Sequence, residues 1–419
     1  MCIENDLTTR LTPRSVPQLL ADTLKVRQDA RDARDGSSRH EVRMHVLHVG
    51  KYYPPYRGGI ETVVEQLCRG LARRGLQITA LVSNDSAATV DETIDGVRVL
   101  RLGRTAELNS QPLNLRLVPE LRQMRFDALH FHTPNPVGAL AVLAAQRAES
   151  IVVTHHSDIV RQRLLGGPAT AAQSFLYRRA AALIAATPKH IEHSPLLHRF
   201  ESKCRVIHFP IDALPYVDAP SRWDAQLPLA WQTEPLVLFV GRLVYYKGVD
   251  VLLEALRFTE GARLAIVGVG PLAARLGEQA ARLGVMDRVR FLGAVSDDRL
   301  RSMYKRARFL VLPSVAPSEA FGMVQLEAMA AGRPVISTDL KSGVPYVNQH
   351  GVTGLIVPPS DPRALAAAMK MLIENEPYTL ALGQAAQRRV LAEFHVDKVV
   401  DAHIELYAGL VRRTPRSAF

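Results

Sequence analysis

From Met44 onward, short apolar runs alternate with longer stretches whose apolar residues recur at helical spacing. Before Met44 the pattern differs. Residues 1–43 are polar and aperiodic, as in Asp29-Ala30-Arg31-Asp32-Ala33-Arg34-Asp35, and offer too little apolar surface for a core. Met44-His45-Val46-Leu47-His48-Val49-Gly50 then reads as a short buried strand ending in glycine. The fold is expected to begin at Met44, with residues 1–43 a disordered extension or upstream sequence from a mistaken start site.

In the first half, strand-like runs lie at Val46–Gly50, Ile78–Val82, Val97–Leu100, Ala128–Phe131, Ile151–Thr154, Leu183–Ala186 and Cys204–Phe209. Helical patterns cover Glu61–Arg74 and Phe175–Ala182. Pro210–Pro235 is rich in Pro and Asp and reads as a linker. A second series follows, with strands Leu236–Val240, Arg263–Val267, Val289–Leu292, Phe309–Leu312, Val335–Thr338 and Gly354–Val357. Its helices include Gly248–Leu256, Leu272–Leu283, Asp297–Lys305, Gln325–Ala331 and Ala364–Ile373, and a last one runs roughly from His395 to Leu410. Alternating strands and helices predict parallel sheets covered on both faces. The expected fold class is α/β: two Rossmann-like, doubly wound parallel-sheet domains, residues 44–209 and 236–394. They are joined by the linker 210–235 and face a cleft at the carboxyl ends of both sheets. Residues 395–419 are expected to cross back to the first domain.

Composition narrows the class. At 419 residues and 47% hydrophobic, the chain has room for two ordinary domains. The best membrane-span candidate, Val137–Ala145, is closed too early by Arg147. Cys2, Cys68 and Cys204 lack metal spacing and read as free thiols of a reducing, cytoplasmic compartment. The net charge of +11 is spread over both halves with no basic tail, so nucleic acid is not an expected partner. Attraction to an anionic membrane surface or to a diphosphate fits the same charge.

Candidate chemistry sits at strand ends. Gly58-Gly59 precedes the helix at Glu61, where paired glycines let a diphosphate approach a helix N-terminus. His155-His156 ends the strand Ile151–Thr154; two adjacent histidines are too few for a metal, and no other His/Cys cluster is evident in the sequence. Arg242 and Lys247 share one loop, where two cations could neutralise a leaving diphosphate. Gly268 lies in an incomplete Gly-x-Gly and fails as a dinucleotide fingerprint. Glu319 and Glu327 bracket Gly322, and the amides of Phe321, Gly322, Met323 and Val324 open a helix that would attract an anion.

Taken in order, glycine loop, strand-end histidine, Arg/Lys loop and Glu-x7-Glu resemble the pattern of retaining glycosyltransferases of family 4, with the two-domain GT-B fold. The resemblance spans approximately residues 44 to 412, and Glu-x7-Glu is its most specific part. It implies that the first domain binds the acceptor and the second a nucleotide-sugar donor. It also implies that the Gly59 amide touches the diphosphate, Arg242 and Lys247 hold the phosphates, and Glu319 takes sugar hydroxyls. Glu327 is then assigned to the ribose. His156 is placed near the reacting carbon, with His155 as the alternative. No Asp-x-Asp occurs, so transfer without a metal or other cofactor is expected.

His155–Gln162, Gly241–Asp250 and Val344–Gly354 resemble bacterial mannosyl- and rhamnosyltransferases of O-antigen and exopolysaccharide synthesis. That similarity implies GDP-mannose as donor, with dTDP- or GDP-rhamnose or a UDP-sugar as alternatives. It implies a glycan or polyprenyl-diphosphate-linked acceptor, and peripheral docking at the cytoplasmic face of the inner membrane through Glu61–Arg74 or Arg116–Arg125. The rival readings are a sugar-nucleotide epimerase on the same architecture, a pyridoxal-dependent phosphorylase, and a non-catalytic binder.

Overall fold

Apolar runs become central strands here because both faces of each sheet are covered by helices. The computed structural model describes residues 44–108, 111–145, 150–158, 166–222 and 224–413, so the expectation for 1–43 lies outside it. The strands are β1 (His45–Val49), β2 (Gln77–Ser83), β3 (Val90–Ile94), β4 (Val97–Leu102), β5 (Ala106–Leu108), β6 (Gln111–Leu113), β7 (Ala128–Thr133), β8 (Ile151–His155), β9 (Ala182–Ala185) and β10 (Cys204–Val206). The second half adds β11 (Leu236–Val240), β12 (Arg263–Val267), β13 (Val289–Gly293), β14 (Phe309–Leu312), β15 (Val335–Thr338) and β16 (Gly354–Val357).

Two doubly wound sheets result. The first has strand order β10-β9-β8-β7-β1-β2-β4-β3 and the second β13-β12-β11-β14-β15-β16. All pairings are parallel except β3 with β4 in the first sheet and the separate hairpin β5–β6. Strand β3 is absent from the sequence expectation because its Val-Asp-Glu-Thr-Ile run is largely exposed and charged, as suits an edge. Its signal lay in Asp95-Gly96, both at positive φ (49° and 82°), the tight-turn pair that joins antiparallel strands. Strand β10 stops at Val206 rather than Phe209, which leaves Phe209 free to turn toward the second sheet. The helix expected over Phe175–Ala182 spans Gly166–Arg179 instead, and Ala182 opens β9.

Residues 210–235 connect the sheets as a packed segment. Leu214, Leu227 and Trp231 are buried, and Ile211 forms a bridge with His395.

Side-chain alternation assigns each face of the first sheet. Leu47, Val49, Leu129, Phe131 and Val153 fill one core. Val46, Ala128 and Val152 fill the other, against Val64, Leu67 and Leu71 of helix α1 (Gly59–Arg73). Further helices used below are α2 (Pro188–His193), α3 (Asp297–Arg306), α4 (Met323–Ala330) and α5 (Val396–Arg413). Helix α5 follows the second sheet in sequence yet buries Val399, Val400 and Tyr407 in the core beneath α1. Along that same face the apolar row turns polar toward the carboxyl ends: Val46 is followed by His48, Ala128 by His130 and His132, and Val152 by Thr154 and His156. No described helix is long and apolar enough to cross a membrane.

Candidate active site

The second sheet supplies the floor of the site. Past the end of β11, Lys247 turns inward and its Nζ lies 2.6 Å from Glu319 Oε2, with the two side chains only 11% and 8% exposed. Ser314 Oγ donates to the same carboxylate oxygen at 2.9 Å, and Thr338 Oγ1 donates to the Ser314 carbonyl. Glu319 is thus held by a cation and a hydroxyl just before α4. Gly322 is the N-cap of that helix and no side chain caps it, so the first N–H groups, including those of Met323 and Val324, have no intrahelical partner. Phe321 is buried beside them. Glu327, in the second turn of α4, accepts a bond from the Tyr304 hydroxyl of α3 at 2.7 Å. Burial raises the pKa of Glu327. Arg242 is exposed on the loop that carries Lys247. Gly268 has φ 135°, and a Cβ there would lie 1.9 Å from the Gly241 carbonyl oxygen. Backbone packing between two strand ends therefore accounts for that glycine without a ligand.

The first sheet approaches from the opposite side. Gly58 is the N-cap of α1, again with no side-chain cap, and Gly59 is its first residue. A methyl group built on Gly59 would sit 3.9 Å from Met323 Cγ. The starts of α1 and α4 therefore lie close to each other, with the Glu61 carboxylate beside Gly58 at the start of α1, and free N–H groups at a helix start favour an anion. Arg57 pairs with Asp297 of α3 at the exposed rim. Deeper in, the His156 ring stacks on Phe209 at 4.8 Å between centroids, and Phe209 lies 4.9 Å from Phe321. His190 of α2 also stacks on Phe321. Sequence left His155 and His156 as alternatives, and the pleat separates them. His155 points to the opposite face, where Nδ1 lies 2.7 Å from the Tyr177 hydroxyl, while His156 points toward Phe209 and the second sheet.

Two expectations need correction. Sequence offered no histidine cluster beyond His155-His156, yet β1 and β7 bring His48, His130 and His132 together with ligand atoms within 4.8 Å of one another. Neighbouring strands place such residues side by side although they are far apart in sequence. As folded, the cluster is a hydrogen-bonded network rather than a ligand set. His130 is used by Tyr407 (2.5 Å) and Thr154 (2.6 Å), and both nitrogens of His132 are used by other histidines. The second correction concerns Glu61–Arg74 as a membrane surface. Its apolar side, Val63, Val64, Leu67 and Leu71, is buried in the core, and Arg69 and Arg74 pair with Asp212 and Asp401. In the other candidate, Leu117 and Leu121 are also buried, leaving Leu115 exposed.

Sequence reasoning missed Ser314, Tyr304, Phe209 and His132. Only His132 carried a readable signal, the His-x-His alternation of His130 and His132 on a strand that ends at the cleft.

Comparison with known proteins shows the family and the fold. Residues 222–389 match the family described as Glycosyl transferases group 1, and residues 58–210 match the Glycosyl transferase 4-like domain. The chain is 33% identical over 376 residues to the O-antigen chain mannosyltransferase C of Escherichia coli, covering 88% of this chain and 99% of that protein. It is 34% identical over 353 residues to the D-rhamnosyltransferase WbpZ of Pseudomonas aeruginosa, covering 83% and 91%. Among solved structures it resembles the sucrose-phosphate synthase of Thermosynechococcus elongatus, with a TM-score of 0.75, 23% identity, and coverage of 89% of this chain and all of that one. It also resembles Anabaena HepE in complex with UDP and glucose, with a TM-score of 0.72, 21% identity, and coverage of 88% and 100%.

Proposed function

The chain belongs to the group 1 glycosyl transferases, and we propose how its cleft divides the work of sugar transfer. It is a family 4-type hexosyltransferase of polysaccharide biosynthesis with the GT-B fold, of the kind represented by bacterial mannosyl- and rhamnosyltransferases, and it takes its sugar from a nucleotide donor. The observation that carries the detailed reading is the closeness of the starts of α1 and α4, with the buried Lys247–Glu319 pair just before α4.

The donor diphosphate rests between the amides of Gly59 and those of Phe321, Gly322, Met323 and Val324. Breaking the glycosyl–phosphate bond moves negative charge onto the diphosphate and leaves positive character on the sugar ring. Fixed N–H groups and the cations Lys247 and Arg242 stabilise the departing charge, in place of a metal. Glu319, already gripped by Lys247 and Ser314, orients sugar hydroxyls and does not act as a nucleophile. Glu327 holds the ribose, with Tyr304 fixing its carboxylate. His156 meets the sugar from the first domain, which also binds the acceptor. The anomeric configuration is retained.

The donor is GDP-mannose, the reading favoured by similarity to a mannosyltransferase and to GDP-mannose-dependent relatives; GDP- or dTDP-rhamnose and UDP-sugars are the competitors. The acceptor is a glycan, carried on polyprenyl diphosphate. A thermal-shift screen of these nucleotides tests the donor. A ligand at one hundred times its Kd adds about 2.7 kcal/mol of stability, so GDP-mannose is expected to give the largest rise in melting temperature. No shift with any sugar nucleotide, or loss of transfer in EDTA, would overturn the reading.

A lipid-carried acceptor requires contact with the bilayer. The helices Leu117–Gln123, Pro136–Ala145 and Gly166–Arg179 pack side by side, and Leu115, Leu140 and Phe175 stand exposed on or beside them with Arg116 and Arg178 near. This face of the acceptor domain is the proposed docking surface. The protein is expected to co-sediment with anionic vesicles and to stop doing so when Leu140 and Phe175 are changed to Asp. Vesicle binding that is indifferent to those changes would exclude this face.

A further inference from the structure

Behind His156 lies a row of buried histidines that the transfer chemistry does not use directly. Strands β1, β7 and β8 are neighbours, with His48 in register with His130 and His132 with Thr154. Side-chain alternation therefore puts His48, His132 and His156 on one face. They form a chain: His156 Nε2 is 3.1 Å from His132 Nδ1, and His132 Nε2 is 3.1 Å from His48 Nδ1. The chain stops at His48 Nε2, which is buried and has no partner among the described residues. All three rings are neutral, because burial lowers each pKa far below its ordinary value.

A neutral imidazole carries one N–H and one lone pair. Three such rings joined by two hydrogen bonds admit only two proton arrangements. If His132 carries its proton on Nε2, then His156 carries its own on Nε2 and His48 is left with an N–H buried without an acceptor. If His132 carries its proton on Nδ1, all three rings do so, and the unpaired atom at His48 is a lone pair. An orphaned buried donor is the rarer of the two in folded proteins, and the bond at one ring nitrogen fixes the state of the other.

We propose that His48 and His132 are positioning residues that hold His156 in the tautomer protonated on Nδ1, so that it offers the donor sugar an N–H rather than a lone pair. The inference rests on the reading of His156 as the sugar-facing histidine only for its catalytic consequence; the tautomer itself follows from the chain of bonds. His156 Nδ1 makes no other hydrogen bond among the described residues and is the edge left for a ligand.

Two measurements test this. In protein labelled with 15N-histidine, long-range proton–nitrogen spectra are expected to show His48, His132 and His156 protonated on Nδ1, with assignments from single-histidine variants. An Nε2-protonated His156 in the wild-type protein would overturn the proposal, whatever any variant does. In transfer assays, His48→Leu is expected to lower kcat about tenfold, the worth of roughly one hydrogen bond, with donor KM within about twofold of wild type. His48→Asn keeps an N–H donor where Nδ1 stood, and is expected to restore kcat to within about threefold of wild type. Equal losses in His48→Leu and His48→Asn would mark His48 as merely structural and sink the positioning role. If His156→Ala itself transfers normally while the spectra show Nδ1–H, the assignment of His156 to the sugar fails and the tautomer stands.

Discussion

Acidification from pH 7 to about pH 5.5 is expected to remove folding stability on the order of several kcal/mol through seven histidines, His48, His130, His132, His155, His156, His190 and His403. Burial is the first cause of the shift in each. It takes His132 to about 3, His155, His190 and His403 to about 4, and the other three well below their ordinary value. An unfolded histidine takes up its proton near pH 6.5. The native state therefore binds fewer protons than the unfolded state, so stability is whole above pH 6.5 and falls as pH drops below it. A histidine that stays neutral in the fold throughout can lose at most about 1 kcal/mol across this interval. Glu61, Glu65, Glu327 and Asp158 act in the opposite sense, since burial raises their pKa values and stabilises the fold as they take up protons. They offset the histidine loss over the part of the interval in which they take up protons. A domain is stable by only about 5–15 kcal/mol, so a steep fall in melting temperature between pH 7 and 5.5 is expected. A flat profile over that range would contradict the buried, neutral state of this row.

Replacing Lys247 with Met is expected to reduce sugar transfer about 10²–10³-fold, the usual effect of deleting one group that stabilises developing charge. The same change should also weaken the fold. Glu319 would be left as a buried carboxylate without its cation, a loss of about 3–5 kcal/mol. The two effects separate in the double variant Lys247→Met/Glu319→Gln. Stability should return to within about 1 kcal/mol of wild type, because neither charge is left unpaired, while transfer stays low. Melting curves and donor turnover on the three proteins check this. Near-normal turnover in Lys247→Met would refute its role. Failure of the double variant to regain stability would mean that the pair is not buried as the 11% and 8% exposures indicate.

The second sheet was the more legible. Leu236–Val240, Arg263–Val267, Phe309–Leu312, Val335–Thr338 and Gly354–Val357 stand as strands with those same limits, since strands covered on both faces are continuous apolar runs with sharp ends. Edges were not legible: β3 is charged because it lies at a rim, and charge reads as loop. In the site, local features could be read and contacts could not. Glycine pairs, the Arg/Lys loop and the Glu-x7-Glu spacing are neighbours in sequence. The Lys247–Glu319 bond, the Phe209–Phe321 contact and the row from His48 to His156 depend on which strands become neighbours, and periodicity within one strand carries no information about that.

Helix α5 gives the first domain part of its interior from beyond the second, through Val399, Val400 and Tyr407. During synthesis, the ribosome emits residue 209 on the order of 10–40 s before residue 407, at about 5–20 residues per second. For that interval the face that carries the histidine row is covered by α1 but lacks α5. The nascent first domain must wait, partly uncovered, until the second has been made, and the two halves of the cleft reach their finished form nearly together.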